Sequence, residues 1–167
     1  MKKNFNKIKI IKLNPFKDNR GIHVESFNKK KYLKLHNVIF VQDNFSKTKK
    51  NVLRGFHGDN KTWKLISCIK GKVQFAYINN NKRSKNYKKN KSIILNDKKS
   101  IQVLIPPKYC IAYLVLSKIA IIHYKQSSYY GQYKKFNINY QSPCLNFNWR
   151  LKKIITSKKD KCGLFLN

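Results

Sequence analysis

The stretch "WKLISCIKGKVQFAYI", residues 63–78, decides the fold. Two runs rich in β-branched and aromatic residues flank one glycine, Gly71, with no proline and no helical spacing of apolar positions. Such runs read as two strands about a turn. Working outward, "IKIIKL" (8–13), "IHVESF" (22–27), "NVIFVQDNF" (37–45) and "NVLRGFH" (51–57) carry strand-like patterns upstream, with "SKTKKN" as a polar turn between the last two. Downstream, "KSIILN", "IQVLIP" and "IAYLVLSKIAIIHYKQS" continue the series, with "NDKK" as a turn. Only "NKKKYLKLH" (28–36) has a helical pattern, and "NNNKRSKNYKKNK" (79–91) reads as a long solvated loop. Many short strands joined by polar turns predict an all-β sandwich or barrel.

At 167 residues the chain suits one domain, 1–167, with a real core. Aromatics reach 13%, which excludes a disordered chain. The formal charge is +32. The lysines are spread along the whole sequence, which fits a solvated basic surface better than a dedicated polyanion site. The four cysteines, Cys68, Cys110, Cys144 and Cys162, form no C-x-x-C pair, and no apolar run nears membrane-spanning length. The N-terminal "MKKNFNKIKIIKLN" is too interrupted by lysine for a secretion signal, so a cytoplasmic protein with reduced thiols is expected.

The chemistry concentrates in "NVLRGFHGDNKTWKLI" (51–66). Charges within apolar β sequence are costly unless paired or used. In a regular strand His57 and Asp59 share a face with positions 53 and 55, and Arg54 lies on the other. Gly55 beside His57 leaves room for a ligand to approach the backbone. His23, His36, His57 and His123 lack the paired spacing of a metal site, so no metal and no cofactor are expected. No nucleophile elbow and no Gly-rich phosphate loop occurs. "HYKQSSYYGQYKKF" could stack bases on its aromatics, as single-strand binders do.

In order and spacing, "FKDNRGIHVESF", "FVQDNFSKTKKNVLRGFHGD", "WKLISCIKGKV", "LIPPKYCIAYLVLS", "HYKQSSYY", "SPCLNFNW" and "TSKKDK" resemble the dTDP-4-dehydrorhamnose 3,5-epimerase family. "RGFHGD" looks more like the branch acting on nucleotide-linked deoxyheptoses. The resemblance implies a cupin-type jelly roll of two antiparallel sheets with a short helix and a C-terminal tail. It also implies a homodimer with exchanged N-terminal strands. The implied substrate is a nucleoside-diphosphate 4-keto-6-deoxy sugar, epimerised at C3, C5 or both. By position His57 matches the family's general base, Tyr124 its proton donor and Lys64 the cation near the C4 oxygen. Arg20 and Arg54 match diphosphate-binding residues. Glu25, Gln42, Asn44 and Tyr130 match polar pocket or nucleotide contacts.

Several positions depart from the family's pattern. The aspartate that orients the base is assigned to a D-P dipeptide, which is Ser142-Pro143 here. Ser142 or Asp59 would then have to stand in for it. The base-stacking phenylalanine is His23, the pocket histidine is Ile111, and the acid of a V-D-x-R segment is Asn79. Two rival functions follow: a sugar-nucleotide-binding homologue that has lost turnover, and a basic nucleic-acid-binding barrel. Under the epimerase reading, contact with nucleic acid is only non-specific.

Overall fold

In the computed structural model, which describes residues 7–167, the chain forms twelve strands and two short helices. In order they are β1 (Lys9–Lys12), β2 (Phe16–Asp18), β3 (Gly21–His23), α1 (Lys29–His36), β4 (Gln42–Lys49), β5 (Leu53–Gly58), β6 (Lys64–Lys70) and β7 (Lys72–Asn79). Then follow β8 (Asn90–Asn96), β9 (Ile101–Ile105), β10 (Tyr109–Val115), β11 (Ile119–Gln126), β12 (Phe136–Asn137) and α2 (Lys158–Lys161). One five-stranded sheet runs β1-β9-β6-β11-β4 and the other β12-β5-β10-β7-β8, with β2-β3 a separate hairpin. The pairings within all three sheets are antiparallel. This is the expected all-β jelly roll, closed around inward residues such as Ile66, Val73, Phe75, Val103, Val115 and Ile122. Each such side chain contributes about 1.5–3 kcal/mol on burial. The first six residues, including the start of the N-terminal segment, lie outside the described region.

The quoted stretch does form two strands, but they belong to different sheets. Gly71, at φ +82°, carries the chain from β6 to β7 across the edge of the sandwich. A Cβ there would collide with the carbonyl oxygen of Ile119. β6 lacks clean alternation because both its faces are covered. Ile66 points between the sheets, while Leu65 lies under Tyr32 of α1 in a second cluster with Leu104. Asn28 caps α1, its side chain accepting from the Lys31 amide at 3.2 Å, and Asn37 ends it in the left-handed region.

Three expectations need correcting. "SKTKKN" is mostly strand, since β4 runs to Lys49 and only Lys50-Asn51 turns, with Asn51 at φ 68°. Its alternation is polar on both sides. Ser46 and Thr48 point inward to hydrogen-bond partners, and the lysines face solvent on an edge strand. β3 stops at His23 and β4 begins at Gln42, so residues 24–27 and 37–41 are connections that cover the outer face of the first sheet.

Candidate active site

A cavity of about 570 Å³ opens between the two sheets. β5 contributes Arg54 and His57 from one sheet; β6 and β11 contribute Lys64 and Tyr124 from the other. The regular-strand parity drawn for β5 does not hold. Ile111 pairs with His57 but Tyr113 pairs with Arg54, so three residue steps on β5 match two on β10. This bulge turns both Arg54 and His57 toward the cavity. It sends Phe56 to the opposite face, where it is fully buried beside Ile138 and Trp149. Only glycine serves at the bulge. Gly55 sits at φ +116°, and a Cβ there would strike the carbonyl oxygen of Ile111.

The carboxylate beside His57 comes from the far end of the chain. Ser157 caps α2, its hydroxyl accepting from the Asp160 amide at 3.1 Å. The segment before α2 is docked on β5 by the Leu53 amide, which donates to the carbonyl of Ile155 at 2.9 Å. Asp160 is thereby carried to His57, with Oδ1 2.8 Å from Nε2. The approach is close, and among the described residues neither atom has another hydrogen-bond partner. The Asp160 side chain is 5% exposed and that of His57 32% exposed.

Ser142 does not take this place. It is buried under the C-terminal tail, donating from Oγ to the Asn139 carbonyl at 2.7 Å and accepting from the Leu166 amide at 3.1 Å. Asp59 does not substitute either. It lines the cavity, but its Oδ1 accepts from the amides of Lys61 and Thr62 at 2.8 and 2.6 Å, closing the turn after β5. The carboxylate lies in the string "TSKKDK" as Asp160, not at the Ser142-Pro143 dipeptide.

Burial lowers the His57 pKa, as do the charges of Lys159 and Lys64, while Asp160 pulls it up. The net fall leaves the imidazole neutral near pH 7. Burial lowers the Lys64 pKa, Asp59 opposing and Lys135 reinforcing the change. Burial raises the Tyr124 pKa, with Tyr113 and Tyr130 adding to it and Arg54 opposing. The phenol is therefore protonated. On the inner face of the first sheet Gln126 pairs with Lys64, and Tyr124 stands two residues along the same strand. The amine and the phenol are thus diagonal neighbours on one wall, facing the imidazole on the other.

The other expected residues divide into rim and remote positions. Tyr130 lines the mouth, 70% exposed, with the Lys135 Nζ 3.3 Å from its ring centroid. A hydrogen bond from Lys135 lowers its pKa. Gln42 holds that loop, accepting the Tyr130 amide at 2.7 Å, and donates to Asn44, which lies opposite Tyr124 in the register. Arg20 and His23 are not brought to this cavity. They lie on the exposed β2-β3 hairpin, where Arg20 is bonded to Asp18 at 2.6 Å. Glu25 is bonded to Lys31 at 2.5 Å and to Asn28 outside the cavity. Ile111 lines the cavity, and Asn79 closes the turn after β7 by accepting the Asn81 amide at 2.9 Å. Lys135 and Lys159 line the site without having been singled out in the sequence. Both sit in lysine-rich surroundings, where no single lysine stands out.

A jelly roll that sets a neutral imidazole on one wall and a protonated phenol with an amine beside it on the other has the parts of an acid–base isomerase of the cupin type. The comparisons give its family. The sequence matches the family model described as dTDP-4-dehydrorhamnose 3,5-epimerase over residues 2–167. It is 33% identical to the dTDP-4-dehydrorhamnose 3,5-epimerase of Escherichia coli K12 over 152 residues, 87% of this chain and 82% of that one. The Salmonella typhimurium enzyme of the same name is also 33% identical, over 80% of this chain and 76% of its own. The Legionella pneumophila epimerase, solved with dTDP-4-keto-L-rhamnose, superposes with a TM-score of 0.89 at 33% identity, covering 95% of this chain and 87% of that one. The Bacillus anthracis enzyme, solved with TDP and pyrophosphate, gives 0.91 at 27% identity, with 99% and 98% covered. The chain belongs to the dTDP-4-dehydrorhamnose 3,5-epimerase family.

Proposed function

We propose that the protein epimerises a nucleoside-diphosphate 4-keto-6-deoxy sugar, dTDP-4-dehydro-6-deoxyglucose or a related hexose or heptose, at C3, C5 or both. The observation that carries this reading is the opposed pair, His57 on β5 and Tyr124 on β11, across one cavity. A ketone at C4 acidifies the neighbouring C–H bonds. Neutral His57 takes the proton from one face, an enolate forms with its oxygen beside Lys64, and Tyr124 returns a proton from the other face. Asp160 holds the imidazole and offsets its charge once protonated. A well-placed acid or base is worth about 10²–10⁴-fold, and a preorganised donor at the enolate oxygen roughly 10²–10³-fold more. Arg54 and Lys159 suit the diphosphate oxygens.

Asp160 weighs against the reading of a binding-only homologue, because it supplies beside His57 a carboxylate that Ser142 does not. The β2-β3 hairpin extends Arg20 away from its own cavity, with Phe16 and Ile22 each 62% exposed. This supports a homodimer in which the hairpin of each subunit completes the nucleotide site of the other. The reading places the enzyme in the cytoplasm. Among the described residues no helix is long and apolar enough to cross a membrane.

The test is deuterium wash-in at C3 and C5 of dTDP-4-dehydro-6-deoxyglucose in D₂O. Exchange is expected, and His57→Ala and Tyr124→Phe each suppress it. A folded protein that exchanges no 4-keto sugar nucleotide rejects the proposal.

A further inference from the structure

We infer that Asn137 is a positioning residue for the base: from the strand beside His57 its side-chain amide holds the carbonyl of Lys159 and so fixes Asp160 against the imidazole. The effect on rate rests on the epimerase reading above, while the effect on His57 itself is measured without substrate.

The tail needs such a hold. α2 is a single turn of four residues, too short to keep its shape by propensity alone. The amides of Lys161 and Cys162 reach back to the carbonyls of Ser157 and Lys158. The carbonyls that follow lie at the helix end, where no later helical amide meets them. Two side chains meet them instead. Asn137 Nδ2 donates to the Lys159 carbonyl at 2.6 Å, and Asn139 Nδ2 to that of Lys161 at 2.7 Å. The two residues so held flank Asp160.

The two asparagines are not equivalent. Asn139 is buried and its Oδ1 also accepts the Gln141 amide at 2.9 Å, so it shapes its own turn as well. Asn137 lies on β12 opposite His57 in the register. Its backbone carbonyl accepts the Leu164 amide at 2.9 Å, which docks the chain just beyond α2. Its Oδ1 is buried with no partner among the described residues. A buried amide end left unpaired is costly, so the side chain is oriented by its bond to Lys159 alone. One residue thus ties the strand of the imidazole to the helix of the carboxylate. A displacement of about 1 Å in such a pair can cost as much as 10²-fold in rate.

The sign of the effect on His57 follows from its neighbours. Asp160 and Lys159 of α2 and Lys64 of β6 are the charges that act on it, and β10 and β12 set uncharged Ile111 and Asn137 opposite it. Of the two charges on α2, Asp160 acts the more strongly. Loosening α2 therefore removes more of the influence that raises the pKa than of the one that lowers it, and His57 titrates at lower pH.

The experiment follows the His57 titration by NMR in labelled, substrate-free protein, together with wash-in rates on dTDP-4-dehydro-6-deoxyglucose. It compares wild type, Asn137→Ala, Asn137→Ser, Asp160→Asn and the double variant Asn137→Ala/Asp160→Asn, each shown to be folded by its Tm. In Asn137→Ala the imidazole titrates at lower pH than in wild type, and kcat falls roughly five-fold with KM unchanged. Asn137→Ser keeps a shorter donor and falls between. Once Asp160 is asparagine, adding Asn137→Ala leaves the His57 titration in place and changes kcat by less than about two-fold. An unchanged titration in both Asn137 variants overturns the inference. So does an upward shift, as simple exposure of the ring would give, or an effect that persists undiminished without the Asp160 carboxylate. Failure of the epimerase reading looks different: the wild type then exchanges no deuterium, and the His57 titration still decides the part played by Asn137.

Discussion

Replacing Asp160 with asparagine tests the site most directly, because the carboxylate acts mainly on a state formed during the reaction. In the resting enzyme His57 is neutral and Asp160 stabilises it little. After proton abstraction the imidazolium faces Oδ1 at 2.8 Å. With an effective dielectric near 20 that attraction is about 6 kcal/mol. A side chain one-third exposed is screened by solvent, and halving the figure leaves roughly 3 kcal/mol. An interaction present only beyond the ground state comes off the barrier in full. Asp160→Asn is therefore expected to lower kcat about 10²-fold, with KM nearly unchanged. The pH profile supplies an independent sign. Asp160 is the influence that raises the His57 pKa against burial and the two lysines. Its removal lowers that pKa further. The neutral imidazole is the active form, so the acid limb of kcat/KM moves to lower pH while the maximum falls. The assay is steady-state wash-in or coupled epimerisation across the acid range. A rate within three-fold of wild type, or an acid limb displaced upward, would refute the assignment of Asp160.

Two further outcomes follow from the geometry. Lys64→Gln keeps a donor but removes the charge beside the enolate oxygen, so kcat falls roughly 10²–10³-fold while dTDP binding, read by thermal shift, stays close to wild type. Gly55→Ala forces a Cβ into the Ile111 carbonyl at a positive φ. A cost of about 2–4 kcal/mol lowers Tm by roughly 4–16 °C for a chain of this length, measured by calorimetry.

The strands were legible because buried β sequence is dense in Val, Ile, Phe and Tyr, and the helix because 28–36 has a helical spacing of apolar positions. Which sheet each strand joins was not legible. β6 and β7 adjoin in sequence yet pair with β9 and β11, and with β8 and β10, which depends on contacts far along the chain. The imidazole, phenol and amine were found through the resemblance, and the structure brings them to one cavity. Two features escaped for local reasons. Parity along β5 failed at a bulge whose only local mark is Gly55, and a lone glycine in a strand does not say where the extra residue falls. Asp160 escaped because a carboxylate 103 positions from His57 is indistinguishable from a helix-end residue until the tail is docked.

The charge of the chain acquires a specific meaning only inside the cavity. Arg54, Lys64, Lys135 and Lys159 line it against Asp59 and Asp160, and both carboxylates are already engaged, by backbone amides and by His57. The site is therefore electropositive, which favours a diphosphate. Lys159 and Lys64 also hold down the basicity of His57. An anionic ligand seated among those cations offsets their effect on the imidazole and raises its proton affinity when the substrate arrives. The same lysines thus keep the base unprotonated while it waits and release its strength on binding. Under the proposed epimerase mechanism, this coupling would give the cations a catalytic consequence that exposed lysines elsewhere on the surface do not have.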